Sequence, residues 1–290
     1  MSKQAPEVRA AYRWCRALAA SHYENFPVAS QLLPRRLRDP VAAIYAFARS
    51  ADDIADEGDA DPQQRLQQLN DMQTAVEQIT AGRTPAGPLY TALADSVRRY
   101  DLPAPLLLDL LSAFRQDVVK KRYASFGEVM DYCRRSANPV GRLLLHLLGA
   151  TEARQLGRSD AVCSALQLIN FLQDVGEDYR ENGRIYLPQD EMERFGVDET
   201  VIAERRGSSG YAQLMHLQIQ RAARLLRAGS PLGRELGGRF GLELRAIILG
   251  GARILEKLQA REDPFARPRL DRRDRLRILA GALKQGFFPS

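Results

Sequence analysis

Phe171-Leu172-Gln173-Asp174-Val175-Gly176-Glu177-Asp178-Tyr179-Arg180 runs into Gly183-Arg184-Ile185-Tyr186-Leu187-Pro188, and this stretch sets both the architecture and the chemistry of the chain. Leu166, Leu168, Ile169, Phe171, Leu172 and Val175 are interleaved with Gln167, Asn170, Asp174 and Asp178, and the polar four are spaced three, four and four residues apart. That spacing places four polar side chains on one helical face. A polar stripe among apolar neighbours is costly to bury unless something fills it. Two carboxylates one turn apart suit a hard divalent cation, which takes oxygen ligands. A solvated helix face closed by the Asn182-Gly183 turn is the competing reading, because Asp and Glu are mostly surface residues.

A second acidic helix end shifts the balance. Asp52-Asp53-Ile54-Ala55-Asp56-Glu57 closes a helix expected to begin near Pro40, with Asp52 and Asp56 again one turn apart. The C-terminal end of a helix disfavours negative charge, and stability alone would place Lys or Arg there. Two such acidic ends on apolar helices read as two halves of a metal site. An EF-hand over Asp53 to Gly58 is excluded, since Ala55 and Gln64 occupy positions where ligands are needed.

With 290 residues, 45% of them hydrophobic, the chain can bury a sizeable core, and 27% charged residues is ordinary for a water-facing surface. The net charge of +6 favours an anionic substrate or an anionic membrane surface. No helix-turn-helix, zinc-finger or RNA-binding signature accompanies it, so nucleic acid is not expected as a partner. Cys15, Cys133 and Cys163 are scattered and form no C-x-x-C pair, as in a reduced, cytoplasmic protein with thiols in its core. His22, His146 and His216 lack metal-ligand spacing, and His146 is expected in the core. No signal peptide and no apolar run of bilayer-spanning length is present, so the protein is expected to be cytoplasmic, soluble or peripheral to a membrane.

Nearly every segment reads as helix. Residues 6–21 are amphipathic; Asp39 with Pro40, and Asp61 with Pro62, look like helix starts. Further helices are expected over about 86–100, from Pro103, from the Ser125/Glu128 capping box, and over about 160–180 with Ser159 as cap. Asn138-Pro139 interrupts one of them. Helices near 189–195, 199–205, 210–228 and 241–260 follow, and a last segment after Asp263-Pro264. No strand alternation or solenoid repeat is found. An all-α, single domain over residues 1–290 is expected, with helices around a central cavity.

Facing aspartate-bearing helices would hold Mg²⁺ together with a substrate diphosphate, since magnesium combines a few carboxylates with waters and phosphates. The metal would neutralise charge on a departing diphosphate. Arg49 and Arg184 lie beside the acidic motifs, either to clamp phosphate oxygens or to pair with the aspartates. Taken together, the motifs resemble the squalene/phytoene synthase family, head-to-head prenyl-diphosphate condensing enzymes with an all-helical isoprenoid synthase fold. The first acidic motif is Asp52 to Asp56, preceded by Tyr45-Ala46-Phe47-Ala48-Arg49. The second is Gln167, Asn170, Asp174, Glu177, Asp178 and the Arg184-to-Pro188 tail, and Tyr132-Cys133 with Val140-Gly141 is the third landmark. The resemblance implies that Asp52, Asp56, Asp174 and Asp178 bind Mg²⁺-diphosphate. It implies that Arg49 and Arg184 contact phosphate, and that Tyr132, Gln167 and Asn170 line the catalytic cavity. Phe26, Tyr45 and Tyr186 are the further candidates for substrate contact.

Three departures from the family pattern stand out: Gln173 in place of Arg, Cys163 in place of Gly, and Arg135-Ser136-Ala137-Asn138-Pro139 in place of Val-Ala-Gly. With Glu24 to Ser30, they resemble the branch on the bacterial route to hopanoids, which ionises presqualene diphosphate and lets water quench the rearranged cation. Asn138 at the kink is the candidate for placing that water. The alternatives are synthesis of presqualene diphosphate, phytoene or dehydrosqualene, or a non-catalytic helical adaptor. The basic tail from Arg269, with Leu276, Leu279 and Leu283 on one side and Phe287-Phe288 beyond, suits a last packing helix or, second, an anionic membrane surface.

Overall fold

A computed structural model describes residues 5–21 and 33–284; Phe26, the Glu24–Ser30 segment, His22 and Phe287-Phe288 lie outside the described residues. Among those described, every regular element is a helix, fourteen in all, and the one β-contact is an isolated parallel bridge between Tyr123 and Pro188. By its internal contacts the chain divides into two units, Met1–Val119 with Pro139–Glu152, and Lys120–Asn138 with Ala153–Ser290.

The first unit holds α1 (Pro6–Ser21), α2 (Arg35–Asp56), α3 (Pro62–Thr80), α4 (Pro88–Tyr100), α5 (Ala104–Val119) and, apart from its first residue, α7 (Asn138–Leu148). α2 packs against α1, α3, α4 and α5. It buries Val41, Ile44 and Phe47 together with Ala42, Ala43, Ala46, Ala51 and Ala55, and the five alanines let several neighbours approach one helix. α2 starts at Arg35, not at Pro40, and Asp39 is not its cap: Asp39 pairs with Arg16. Pro40 has no N–H to give the Arg36 carbonyl, and the Tyr100 hydroxyl donates to that carbonyl at 2.8 Å, so the helix runs through its proline. Asp61 caps α3 as expected, closing a capping box with Gln64. His146 is half-buried on α7 and not a core residue.

The second unit is built on α8 (Ala153–Asn182), with α6 (Phe126–Ser136), α9 (Gln189–Arg194), α10 (Glu199–Ala203), α11 (Ser209–Gly229), α12 (Leu232–Glu235), α13 (Gly238–Ala260) and α14 (Arg272–Leu283). α8 begins six residues before Ser159, which is buried inside the helix instead of capping it. Glu235 at the end of the short α12 pairs with Arg158 and, at 3.7 Å, with Arg154, and so holds the first turns of α8. The break before Pro139 is present, α6 ending at Ser136 and α7 beginning at Asn138. Cys15 and Cys133 are core residues whose thiols burial pushes up to about 12, whereas Cys163 is only half-buried.

α8 makes its most extensive contact with α11, and at Gly229 the two helices come close together. A Cβ on Gly229 would stand 2.5 Å from Val162 Cγ2 and 2.6 Å from the Arg158 carbonyl oxygen. Gly229→Ala is therefore expected to cost about 3 kcal/mol through overpacking against backbone that cannot yield. Urea denaturation checks this: the midpoint should fall with the slope unchanged. The helices at the centre of the two units, α2 and α8, are the ones that carry the acidic motifs.

Candidate active site

On α2, Tyr45, Arg49, Asp52 and Asp56 follow one another at helical spacing and are all half-buried. The Arg49 guanidinium reaches Asp52 Oδ2 at 3.2 Å and Asp53 Oδ1 at 2.6 Å, and it also pairs with Glu57. One cation thus answers three carboxylates at a helix end whose dipole repels them.

On α8, Gln167, Asn170, Asp174 and Asp178 lie half-buried on one face, while Leu168, Ile169, Phe171, Leu172 and Val175 are buried. Asp174 meets a residue the sequence reading did not single out. Arg267 brings Nε to Asp174 Oδ1 at 2.5 Å and Nη2 to Oδ2 at 3.0 Å, with Nη1 3.4 Å from Glu177. Gln173 is buried and donates from Nε2 to the Pro268 carbonyl at 2.9 Å. The residue that replaces the family's arginine therefore tethers the segment bearing Arg267. Burial lifts the Asp174 carboxyl above the usual carboxylate range; Arg267 opposes this, and Glu177 and Glu181 add to it.

After α8 the chain turns at Gly183, in the left-handed region at φ +60°, and runs beside the segment before α6. Ile185 N–H donates to the Lys121 carbonyl at 3.0 Å, Gln189 N–H to Tyr123 at 2.9 Å and Asp190 N–H to Ala124 at 3.1 Å. This pairing gathers four rings. Phe171 and Tyr186 stack with centroids 3.6 Å apart, and Tyr132 lies 6.0 Å from Phe171 and 5.7 Å from both Tyr186 and Tyr123. Tyr123 is fully buried and was not among the expected site residues; its signal is masked by the basic run Lys120-Lys121-Arg122. Arg184 is buried behind Tyr186, giving Nη1 to its hydroxyl at 3.2 Å. Asn138 is buried, its Oδ1 accepting from Ser164 Oγ at 2.8 Å.

Among the described residues no three His, Cys, Asp or Glu side chains converge on a ready-made metal cluster. Each acidic end offers two carboxylates one turn apart, which fits magnesium held by one or two carboxylates with phosphates completing its shell. The buried Asp174 Oδ1 fits this too, since its contact with Arg267 is an ion pair without hydrogen-bond geometry. A cation is already required at both ends, and in this structure arginines supply it.

The chain matches the squalene/phytoene synthase family over residues 19–278 and belongs to that family. It is 39% identical to a hydroxysqualene synthase of Rhodopseudomonas palustris, the match covering 84% of this chain and 82% of that protein. A hydroxysqualene synthase of Zymomonas mobilis is 37% identical, with coverages of 84% and 81%. The crystal structure of squalene synthase HpnC from Alicyclobacillus acidocaldarius superposes with a TM-score of 0.82 at 35% identity, over 88% of this chain and 95% of that one. The fold is the all-helical isoprenoid synthase fold. No helix among the described residues is long and apolar enough to cross a membrane.

Proposed function

We propose that the protein converts presqualene diphosphate and water into hydroxysqualene and diphosphate, with Mg²⁺ at its aspartates. The observation that carries this reading is the arrangement on α8. Asp174, held by a guanidinium, lies one helical turn from Phe171, which stacks on Tyr186 beside Tyr132. Anion-handling groups thus adjoin an aromatic surface, as ionisation of an allylic or cyclopropylcarbinyl diphosphate requires. The similarity to hydroxysqualene synthases favours water as the second reactant.

When the carbon–oxygen bond breaks, its electron pair leaves with the diphosphate. Magnesium, when bound, would supply the charge neutralisation that this departure needs. Asp52 with Asp56, and Asp174 with Asp178, are the residues that would hold the metal, and Arg49 would turn its guanidinium from carboxylate to phosphate. Phe171 and Tyr186 each spend one face on the other, so the ring faces of the cluster left outside that stack, Tyr132's among them, would present negative quadrupole to the cation left behind. Gln167, Asn170 and Tyr45 line the same helix faces as the aspartates. Arg184 holds the Tyr186 hydroxyl and would contact phosphate, as the family pattern implies. Water adds to the rearranged cation and its extra proton passes to the departed diphosphate, with Asn138 proposed to bias where the water stands.

Product analysis after incubation with presqualene diphosphate, Mg²⁺ and no NADPH tests this. A hydroxylated triterpene is expected. Inertness toward presqualene diphosphate, with farnesyl diphosphate consumed to a cyclopropyl or C30 polyene product, would overturn it. In the same assay Asn138→Ala should lower the alcohol share of the products; an unchanged share removes Asn138 from water placement.

A further inference from the structure

α14 packs on α13, but not through its leucines. Its inward side is Asp274 and Ala282, both buried, with half-buried Ile278 and Gly281. Gly281 is pressed so close to α13 that a Cβ there would lie 3.1 Å from Leu249 Cδ1. Asp274 is 1% exposed, accepts from Arg253 Nε at 2.7 Å, pairs with Lys257, and closes a capping box with Asp271. The hydrogen bonds and charges of Lys257 and Arg253 hold the Asp274 carboxyl well below the usual carboxylate range.

These contacts fix the roll of the helix. Turning the leucines inward would pull a covered carboxylate away from two cations and leave its charge unpaired, a change that is disfavoured. Leu276, Leu279 and Leu283 consequently face outward at 69%, 53% and 60% exposure, three of the five large hydrophobic side chains exposed among the described residues. Their spacing of three and four residues forms one continuous stripe. Arg272, Arg273, Arg275, Arg277 and Lys284 are exposed around it.

We propose that this face of α14 seats the protein on an anionic lipid bilayer, with the leucines in the acyl boundary and the arginines on headgroup phosphates. Charge selects this occupant. A second copy of the helix would bring two sets of arginines face to face, and three leucines fall far short of the area of a stable dimer. The net charge of +6 adds attraction toward an anionic surface. The proposal is independent of which prenyl diphosphate the active site takes.

The full chain is sedimented with vesicles of phosphatidylcholine alone and of phosphatidylcholine with phosphatidylglycerol. Binding should rise with the phosphatidylglycerol fraction and weaken in high salt. The triple variant Leu276→Ser, Leu279→Ser, Leu283→Ser should lose about tenfold or more in partitioning. Arg272→Gln with Arg273→Gln and Arg275→Gln should lose about 100-fold on the anionic vesicles, roughly fivefold per charge. All six positions are exposed, so melting temperature and turnover in detergent should match wild type, which separates loss of seating from loss of fold or activity. Equal partitioning of wild type and the leucine variant overturns the proposal, as does indifference to phosphatidylglycerol. Sedimentation velocity without vesicles covers the other occupant: a dimer that the leucine variant dissociates, with no vesicle binding, makes the stripe a self-association surface and also overturns it.

Discussion

Asp174→Asn is expected to lower turnover about 1,000-fold, equivalent to about 4 kcal/mol of transition-state stabilisation, while barely changing the stability of the metal-free protein. Asparagine keeps the size of the side chain and an oxygen for Arg267 Nη2, now bonded at 3.0 Å. Losing the charge weakens the ion pair, but it also removes the desolvation that lifts the Asp174 carboxyl, and Glu177 stays within 3.4 Å of Arg267. The two effects oppose one another, so the change should stay within about 1 kcal/mol, or a shift of roughly 2–4 °C in melting temperature. What the variant is expected to lose is a ligand for Mg²⁺. Wild type should gain stability from Mg²⁺ and pyrophosphate together, because ligands that bind only the native state raise its melting point. Asp174→Asn should gain far less. An unchanged thermal shift with reduced turnover would place Asp174 outside the metal site.

Arg49→Gln is expected to move two affinities in opposite directions. In the structure Arg49 occupies the space among Asp52, Asp53 and Glu57 that a metal would otherwise neutralise. Removing it should tighten binding of Mg²⁺ alone, since the ion no longer competes with a guanidinium. Binding of pyrophosphate in the presence of Mg²⁺ should weaken on the order of 100-fold, the loss of about 3 kcal/mol of charge-assisted hydrogen bonding. Calorimetric titrations of each ligand read the two effects separately. If both affinities fall, Arg49 is framework; if neither moves, it is a surface ion pair and nothing more.

The helical class and the two acidic ends were legible because they are periodic: residues 167, 170, 174 and 178 share a face whatever surrounds them. Arg267 was not legible. It reaches Asp174 across 93 residues from an irregular segment, and no spacing rule links an arginine before a proline to a helix so far away. The start of α2 was hidden for another reason. A proline at position 40 normally marks a first turn; here the helix begins earlier, and the Tyr100 hydroxyl takes up the Arg36 carbonyl that the proline leaves without its helical donor. The leucines of α14 form the stripe that periodicity suggests, yet the helix docks by Asp274 and its small residues. Apolar spacing identifies a face without saying what covers it.

The pairing of residues 121–124 with 183–190 is made by backbone groups: the amides of Ile185, Gln189 and Asp190 on the carbonyls of Lys121, Tyr123 and Ala124. Such bonds do not depend on side-chain identity. The path of the loop past the aromatic cluster would survive exchange of the half-buried Tyr186, so a different ring or an aliphatic group there would meet the same Phe171 from the same direction. Position 186 is thus an interchangeable tool on a fixed mount: its ring can be exchanged without disturbing the backbone bonds that carry it.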